Sequence, residues 1–372
     1  MFRIIIVVYL CLQDIDWQAI EARIRELDER TLSSKSVKRK NSTLGVFEQF
    51  LQKSNLDLMS CRPEDVRKFL VWKDSFGKTT VHDVRCRYLG KQGVFECPCP
   101  KRLSSATVEN IILQITNIFE DAGLGRNWDI LLRSGNPACA PLVKEYLKLM
   151  KEEQAKAHIL PKQAKPIFLT KVKSIVSFIR RELMSRQSVK EKFIFYRDQA
   201  WFKLQFFAGD RATDLSFVVS QEVKLLNDES GIVFRHSFGK TLRGDKGKNN
   251  TFVIKKCEDV EICPVIGILE DVQCCKSNGV DLSTGYLFRI RTEGGKVLDQ
   301  PVNYSVMYER LRYYLTTLGL YDGETPHSFR AGCAVTMALS NSADNVDQAM
   351  EHIGWFGKAS AECYTLLLIQ VL

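Results

Sequence analysis

The sequence predicts a mainly α protein with a small antiparallel β-sheet, built as an all-α N-terminal domain followed by an α+β C-terminal domain. Three observations predict it. Apolar residues recur at helical spacing through most of the chain. The pattern switches once, after residue 231, to short β-prone runs. A polar stretch bounded by prolines, Leu160 to Pro166 (LPKQAKP), lies between two helical patterns, as a connection between domains does. At 372 residues the chain is too long for one small core, so the expected units are 1–160 and 167–372, joined by a linker at 161–166.

In the first unit, helical periodicity covers Asp16 to Arg30, Leu44 to Lys53, Pro63 to Lys73, Ser104 to Ala122 and Pro141 to Lys156. In the second, helices at Thr170 to Met184 and Val189 to Phe207 lead into Arg211. Strands follow at Ile232 to Phe238 and Thr251 to Lys256. Between them KTLRGDKGKNN, rich in glycine and lysine, suits a hairpin tip. Further helices are expected at Cys263 to Lys276 and Pro301 to Leu318, then three shorter ones carrying His327, Trp355 and Tyr364. No internal repeat or low-complexity segment interrupts the pattern.

Composition narrows the class. Lysine and arginine exceed aspartate and glutamate by 53 to 44, and a net charge of +9 favours a polyanionic partner, with a mildly basic enzyme as the alternative. The 12 cysteines are scattered and include the adjacent pair Cys274 and Cys275, which favours reduced thiols or metal ligands over disulfides. Ile4 to Leu12 (IIIVVYLCL) is too short to span a bilayer and lacks a small-residue cleavage site. It reads as a buried strand or a misassigned start, and a membrane protein is not expected.

An ordered set of residues carries the chemistry: Arg211 in GDRATDL, Lys240 in FGKT, His327 and Arg330 in HSFR, Trp355 in IGW, and Tyr364 in AECYTLLL. Two guanidiniums can grip the non-bridging oxygens of one phosphate, lysine and histidine can move protons, and a tyrosine can attack phosphorus. Arg211 is expected at a helix boundary, oriented by Asp214; a surface ion pair is the plainer reading. Thr325 fits an N-cap and Pro326 the first helical position, which sets His327 and Arg330 three apart on one helix face. Alone, His327 reads more readily as a hydrogen-bonded structural histidine, and Tyr364 as a core residue of an amphipathic helix. Lys240 near the hairpin base suits a general acid, with Lys246 and Lys248 at the tip as competitors.

Taken in order, these motifs resemble the catalytic domain of tyrosine recombinases of the phage-integrase family over about Ile167 to Leu372. The family pattern has a histidine or tryptophan nine residues before the tyrosine. Trp355 holds that place, while His352 falls one helical turn too early and is left out. The resemblance implies an attack by Tyr364 on a DNA phosphate, leaving a 3′-phosphotyrosyl link and a free 5′-hydroxyl. It also implies that Arg211 and Arg330 stabilise the phosphorane, His327 assists proton transfer, and Trp355 packs and donates a hydrogen bond. Such chemistry conserves the bond energy and needs no ATP or catalytic metal. Eight residues follow Tyr364, fewer than the C-terminal segment with which relatives contact a neighbouring protomer.

The N-terminal half has its own resemblance. FGKTTVHDVRCRYLG, CPCP, the helix from Ser104 and KEYLKLMKEEQAKAHIL are similar to the ALOG DNA-binding domain, over about Ser33 to Leu160. That fold is thought to derive from recombinases of DIRS-type retrotransposons, so both halves together point to a mobile-element recombinase. His82 and Cys86, four apart and able to share a helix face, join Cys97 and Cys99 as a set suited to structural zinc. The resemblance implies a zinc-ribbon insert there. It further implies duplex DNA as the partner, a core-binding role for the N-terminal domain, assembly into a tetrameric synapse, and the nucleus as the location. The alternatives are a domesticated DNA-binding protein without catalysis and a type IB topoisomerase.

Overall fold

Serines and prolines decide where the N-terminal helices begin. Ser34 caps helix α2 (Lys35–Gln52) by accepting from the Val37 amide at 3.3 Å, and Ser104 caps α4 (Ser105–Phe119) through Thr107 at 3.3 Å. Pro63 and Pro141 occupy the first turns of α3 (Pro63–Asp74) and α5 (Pro141–Lys156), where a missing N–H costs nothing. A further helix, α1 (Trp17–Ser33), precedes them. The computed structural model describes residues 16–91, 96–159, 164–186, 188–236 and 250–339. By its internal contacts the chain forms two compact units, Met1–Pro161 and Lys162–Leu372.

The first unit closes around Phe47, Leu51, Phe69, Val108, Ile115, Phe119 and Val143, contributed by α2, α3, α4 and α5. Phe47 meets Phe69 edge-on, with ring centroids 4.8 Å apart. Each such fully buried ring contributes about 2–3 kcal/mol. The unit is mostly α, and short strands accompany the helices, one pair of them where the zinc-ribbon insert is expected. A two-residue pair, β1 (Thr79–Thr80) with β2 (Lys101–Arg102), pinches the segment that carries His82 and the three cysteines, and a second pair joins β3 (Trp128–Asp129) to β4 (Ser134–Gly135). Periodicity does not register strands of two residues. The helix expected to reach Ala122 stops at Phe119, where a wider turn runs over Glu120–Leu124 with Gly123 at φ 88°.

The second unit is organised on α7 (Val189–Ala208), which packs against α6 (Leu169–Ser185), α9 (Pro264–Ser277) and α11 (His327–Leu339). Gly267 lets α9 approach closely: a Cβ there would stand 3.3 Å from the Ala200 Cα. A three-stranded antiparallel sheet orders β5 (Val223–Leu225), β6 (Gly231–His236) and β7 (Asn250–Lys255), pairing Ile232 with Ile254. Ile232, Phe234 and Ile254 face inward and Val253 outward, the period-two signature of a half-buried sheet. The sequence reading also placed a helix from Pro301. Pro301 instead ends β9 (Val297–Pro301), which pairs with β8 (Arg289–Arg291), and α10 begins at Tyr304 and runs to Thr317. A proline at the end of an edge strand forfeits no ladder bond, so the same residue fits both readings.

Among the described residues no helix is long and apolar enough to cross a membrane.

Candidate active site

α7 ends at Gly209, whose left-handed φ of 60° turns the chain sharply and delivers Arg211 to the head of the four-residue helix α8 (Ala212–Leu215). Arg211 Nη1 lies 3.4 Å from Asp214 Oδ2, so the carboxylate three residues on orients the guanidinium as the motif suggested. Arg211 remains half-buried and Asp214 is buried.

The HSFR segment is fixed to α7 by three contacts. Gln205 Nε2 donates to the Pro326 carbonyl at 2.8 Å, and Phe202 stacks on Phe329 with centroids 5.2 Å apart and planes within 8°. Arg330 Nη1 donates to the Gly209 carbonyl at 2.7 Å, which joins the GDRATDL turn directly to HSFR. The helix starts at His327 rather than Pro326, a difference within the usual fraying of a first turn. The contact made there has Ser328 Oγ accepting from the Thr325 N–H at 3.0 Å, the reciprocal half of a capping box. Glycine is required behind it. A Cβ on Gly332 would fall 1.8 Å from the Ile167 carbonyl oxygen, because the segment entering α6 crosses α11 there and Ile167 N–H donates to the Ser328 carbonyl at 2.9 Å.

His327 is the exposed member of the group, its ring 5.7 Å from that of Tyr304. Partial burial of the ring, then the positive charges of Arg211 and Arg330, hold its pKa below the ordinary histidine value, against the opposing carboxylate of Asp214. One electrostatic neighbourhood therefore contains Arg211, His327, Arg330 and Asp214, although 116 residues of sequence separate the first two. The arrangement gathers two guanidiniums around an imidazole whose protonation they disfavour, a set suited to holding a phosphate and moving a proton. Lys240, Trp355 and Tyr364, like the competitors Lys246 and Lys248, lie outside the described residues. Gly209, Gln205 and Phe202 were missed by the sequence reading, since a backbone acceptor and two positions on a buried helix carry no motif.

In the first unit, the donor atoms of His82, Cys86, Cys97 and Cys99 all lie within 4.8 Å of one another. His82 Nδ1 is 3.4 Å from Cys86 Sγ and 3.5 Å from Cys97 Sγ. The route to this cluster differs from the expected shared helix face. Residues 82–90 form successive turns, in which Asp83 Oδ1 accepts from the Arg85 amide at 2.9 Å and the Asp83 carbonyl from the Cys86 amide at 2.8 Å. An aspartate that hydrogen-bonds its own downstream backbone favours a turn over a helix.

Comparisons with solved structures find this architecture in DNA-rearranging enzymes. The XerH site-specific recombinase bound to difH substrate matches with a TM-score of 0.51 at 14% identity, over 85% of this chain and 71% of that one. The Tn1549 transposon integrase in complex with transposon right end DNA matches with a TM-score of 0.50 at 14% identity, over 92% of each chain. The fold is that of the tyrosine recombinases. Residues 25–152 match the ALOG domain. Protein LIGHT-DEPENDENT SHORT HYPOCOTYLS 5 of Arabidopsis thaliana is 34% identical over 118 residues, which is 31% of this chain and 62% of that relative's length. Protein LIGHT-DEPENDENT SHORT HYPOCOTYLS 6 of the same plant is 33% identical over 142 residues, 36% of this chain and 69% of the relative. The chain belongs to the ALOG domain family.

Proposed function

We propose that this chain is a DNA strand transferase of the tyrosine recombinase class, cutting and rejoining duplex DNA through Tyr364, and that it serves a mobile element of the DIRS type in the nucleus. The observation that carries the reading is the convergence of Arg211, His327 and Arg330 at one end of α7, inside a fold shared with recombinases. In the proposed reaction the Tyr364 oxygen attacks phosphorus, the bond to the 5′ oxygen breaks, and a 3′-phosphotyrosyl ester forms. Arg211 and Arg330 stabilise the added charge on the phosphorane oxygens. His327, kept neutral near pH 7 by its surroundings, accepts the tyrosine proton, while Lys240 protonates the departing 5′ oxygen. Trp355 would pack in the site and donate a hydrogen bond. Reversal on a new 5′-hydroxyl rejoins the strand, and four protomers in a synapse complete the exchange.

The ALOG half would supply the grip on duplex DNA, with His82, Cys86, Cys97 and Cys99 holding a structural zinc ion. The donor set fits that ion: four N and S ligands at zinc distances stand about 3.5–4 Å apart around a tetrahedron. Zinc there would tie the turn at residues 82–86 to the CPCP loop and take no part in the chemistry.

A nicked duplex that releases the cleaved 5′ end tests the reading. Wild-type protein is expected to form a covalent adduct that Tyr364→Phe abolishes without loss of DNA binding, and Arg211→Ala or Arg330→Ala should slow it by roughly 10²–10³-fold. Absence of any adduct would leave the second reading, a DNA-binding protein without catalysis. The ALOG match over residues 25–152 is the observation behind that alternative. Relaxation of plasmids without regard to sequence would instead indicate a topoisomerase.

A further inference from the structure

Helix α1 carries an apolar side that no described residue of its own unit covers. From Trp17 to Thr31 none of its residues is buried. Yet Trp17, Ile20, Ile24 and Leu27 are 65%, 41%, 52% and 45% exposed along one side. Their spacing of three, four and three is the 3.5-residue repeat of a coiled-coil seam, narrower than the stripe with which a helix sits on a globular core. An isolated helix of 17 residues is marginal in water, so such a seam stabilises the helix only when a partner meets it.

The charges beside the seam identify the partner. With Trp17 at position a of the heptad, the e positions are Glu21 and Asp28 and the g positions are Arg23 and Arg30. Both e residues are acidic and both g residues basic. In a parallel, in-register pair a g residue faces the e residue of the following heptad on the other helix, so Arg23 of each copy meets Asp28 of the other. An antiparallel pair would set arginine against arginine and acid against acid, which is unfavourable. Within its own helix Arg23 pairs with Glu26, but both side chains are exposed, and exchanging such a bridge costs little.

We propose that α1 is a parallel coiled-coil docking helix whose occupant is the α1 of a second copy of this chain. Two heptads bury limited area, so the pair forms at micromolar concentration in free solution and tightens when both copies are held near each other.

Sedimentation velocity of the full chain across a concentration series tests this without reference to catalysis. A monomer–dimer equilibrium is expected, abolished by Leu27→Asp. Arg23→Asp and Asp28→Arg should each weaken it by about ten-fold, and their combination should restore it, since the reversed pair regains attraction only across two parallel helices. Circular dichroism of each variant reports whether α1 still folds. A wild-type chain that stays monomeric to roughly 100 μM overturns the proposal. So does a double variant no tighter than the single ones. A Leu27→Asp chain that melts earlier with its oligomeric state unchanged would show that another segment of the same chain covers the seam, and this also overturns it.

Discussion

The two candidate sites are held in place by opposite means. The His82, Cys86, Cys97 and Cys99 cluster is made of turns and a loop, tied back by a ladder two residues wide, with backbone hydrogen bonds that close short turns. The Arg211, His327 and Arg330 cluster stands on a buried scaffold that crosses the whole second unit. Asp198 on α7 accepts from Arg197 at 2.7 Å, from Arg310 at 2.6 Å and from the Tyr314 hydroxyl at 2.8 Å, and Arg197 also reaches the Arg289 carbonyl. The difference teaches where rigidity comes from. Where a core exists, packed side chains can orient charged groups; where the chain is only turns, an ion binding four ligands can substitute for a core.

That contrast can be broken at several points, in descending order of effect. Chelation, or Cys97→Ser, is expected to unfold the loop between β1 and β2 and destabilise the first unit, while the second keeps its melting transition. Structural zinc contributes on the order of 10 kcal/mol where a fold depends on it. Calorimetry resolving two transitions measures this, and equal losses in both units would erase the distinction. Next, Asp198→Ala leaves buried Arg197 and Tyr314, together with Arg310, without their shared acceptor. A loss of about 3–5 kcal/mol, confined to the second unit in urea titration, is expected.

A smaller effect concerns Lys203, fully buried on α7 with Nζ donating to the Val260 carbonyl at 3.2 Å. Burial lowers its pKa from 10.5 to about 8, with Glu270 opposing the shift. Between those values the unfolded chain holds a proton that the folded chain lacks, so stability should rise with pH from about 8 to 10.5. Lys203→Met should remove that slope and stabilise the protein at pH 7; urea midpoints at several pH values decide.

The smallest effect is at His327. Its folded pKa is depressed, so the stability tied to its neutral form is complete above the ordinary histidine value and is lost as pH falls through the folded one. Arg211→Gln removes one of the depressing charges and should raise the midpoint of the His327 titration followed by NMR. No movement would separate Arg211 from the site.

Much of the fold was legible because it rests on local signals. Pro141 to Lys156 and Val189 to Phe207 both emerge from an apolar period at helical spacing, and the structure places α5 and α7 there. The hairpin of β8 and β9 was not legible: RIRTEGGKVLDQP is polar and short, and its strand character comes from pairing rather than from its composition. At the site, GDRATDL and HSFR announced their side chains but not their junction, since the Gly209 carbonyl that accepts from Arg330 has no residue-specific signature. The His82 and Cys86 spacing pointed to two side chains that do meet and misjudged the backbone, because i and i+4 meet in a helix and, through Asp83, in a run of turns as well.

The sequence by itself determined the helical elements, the basic charge, the four metal-suited ligands and the ordered motifs, all of which depend on residue identity at short range. Packing alone sets Arg330 on the Gly209 carbonyl two residues before Arg211, requires Gly332 to lack a side chain beside Ile167, and leaves the α1 seam exposed among the described residues. These depend on which surfaces meet after distant segments pack, and packing is a property of the whole unit rather than of any stretch of it.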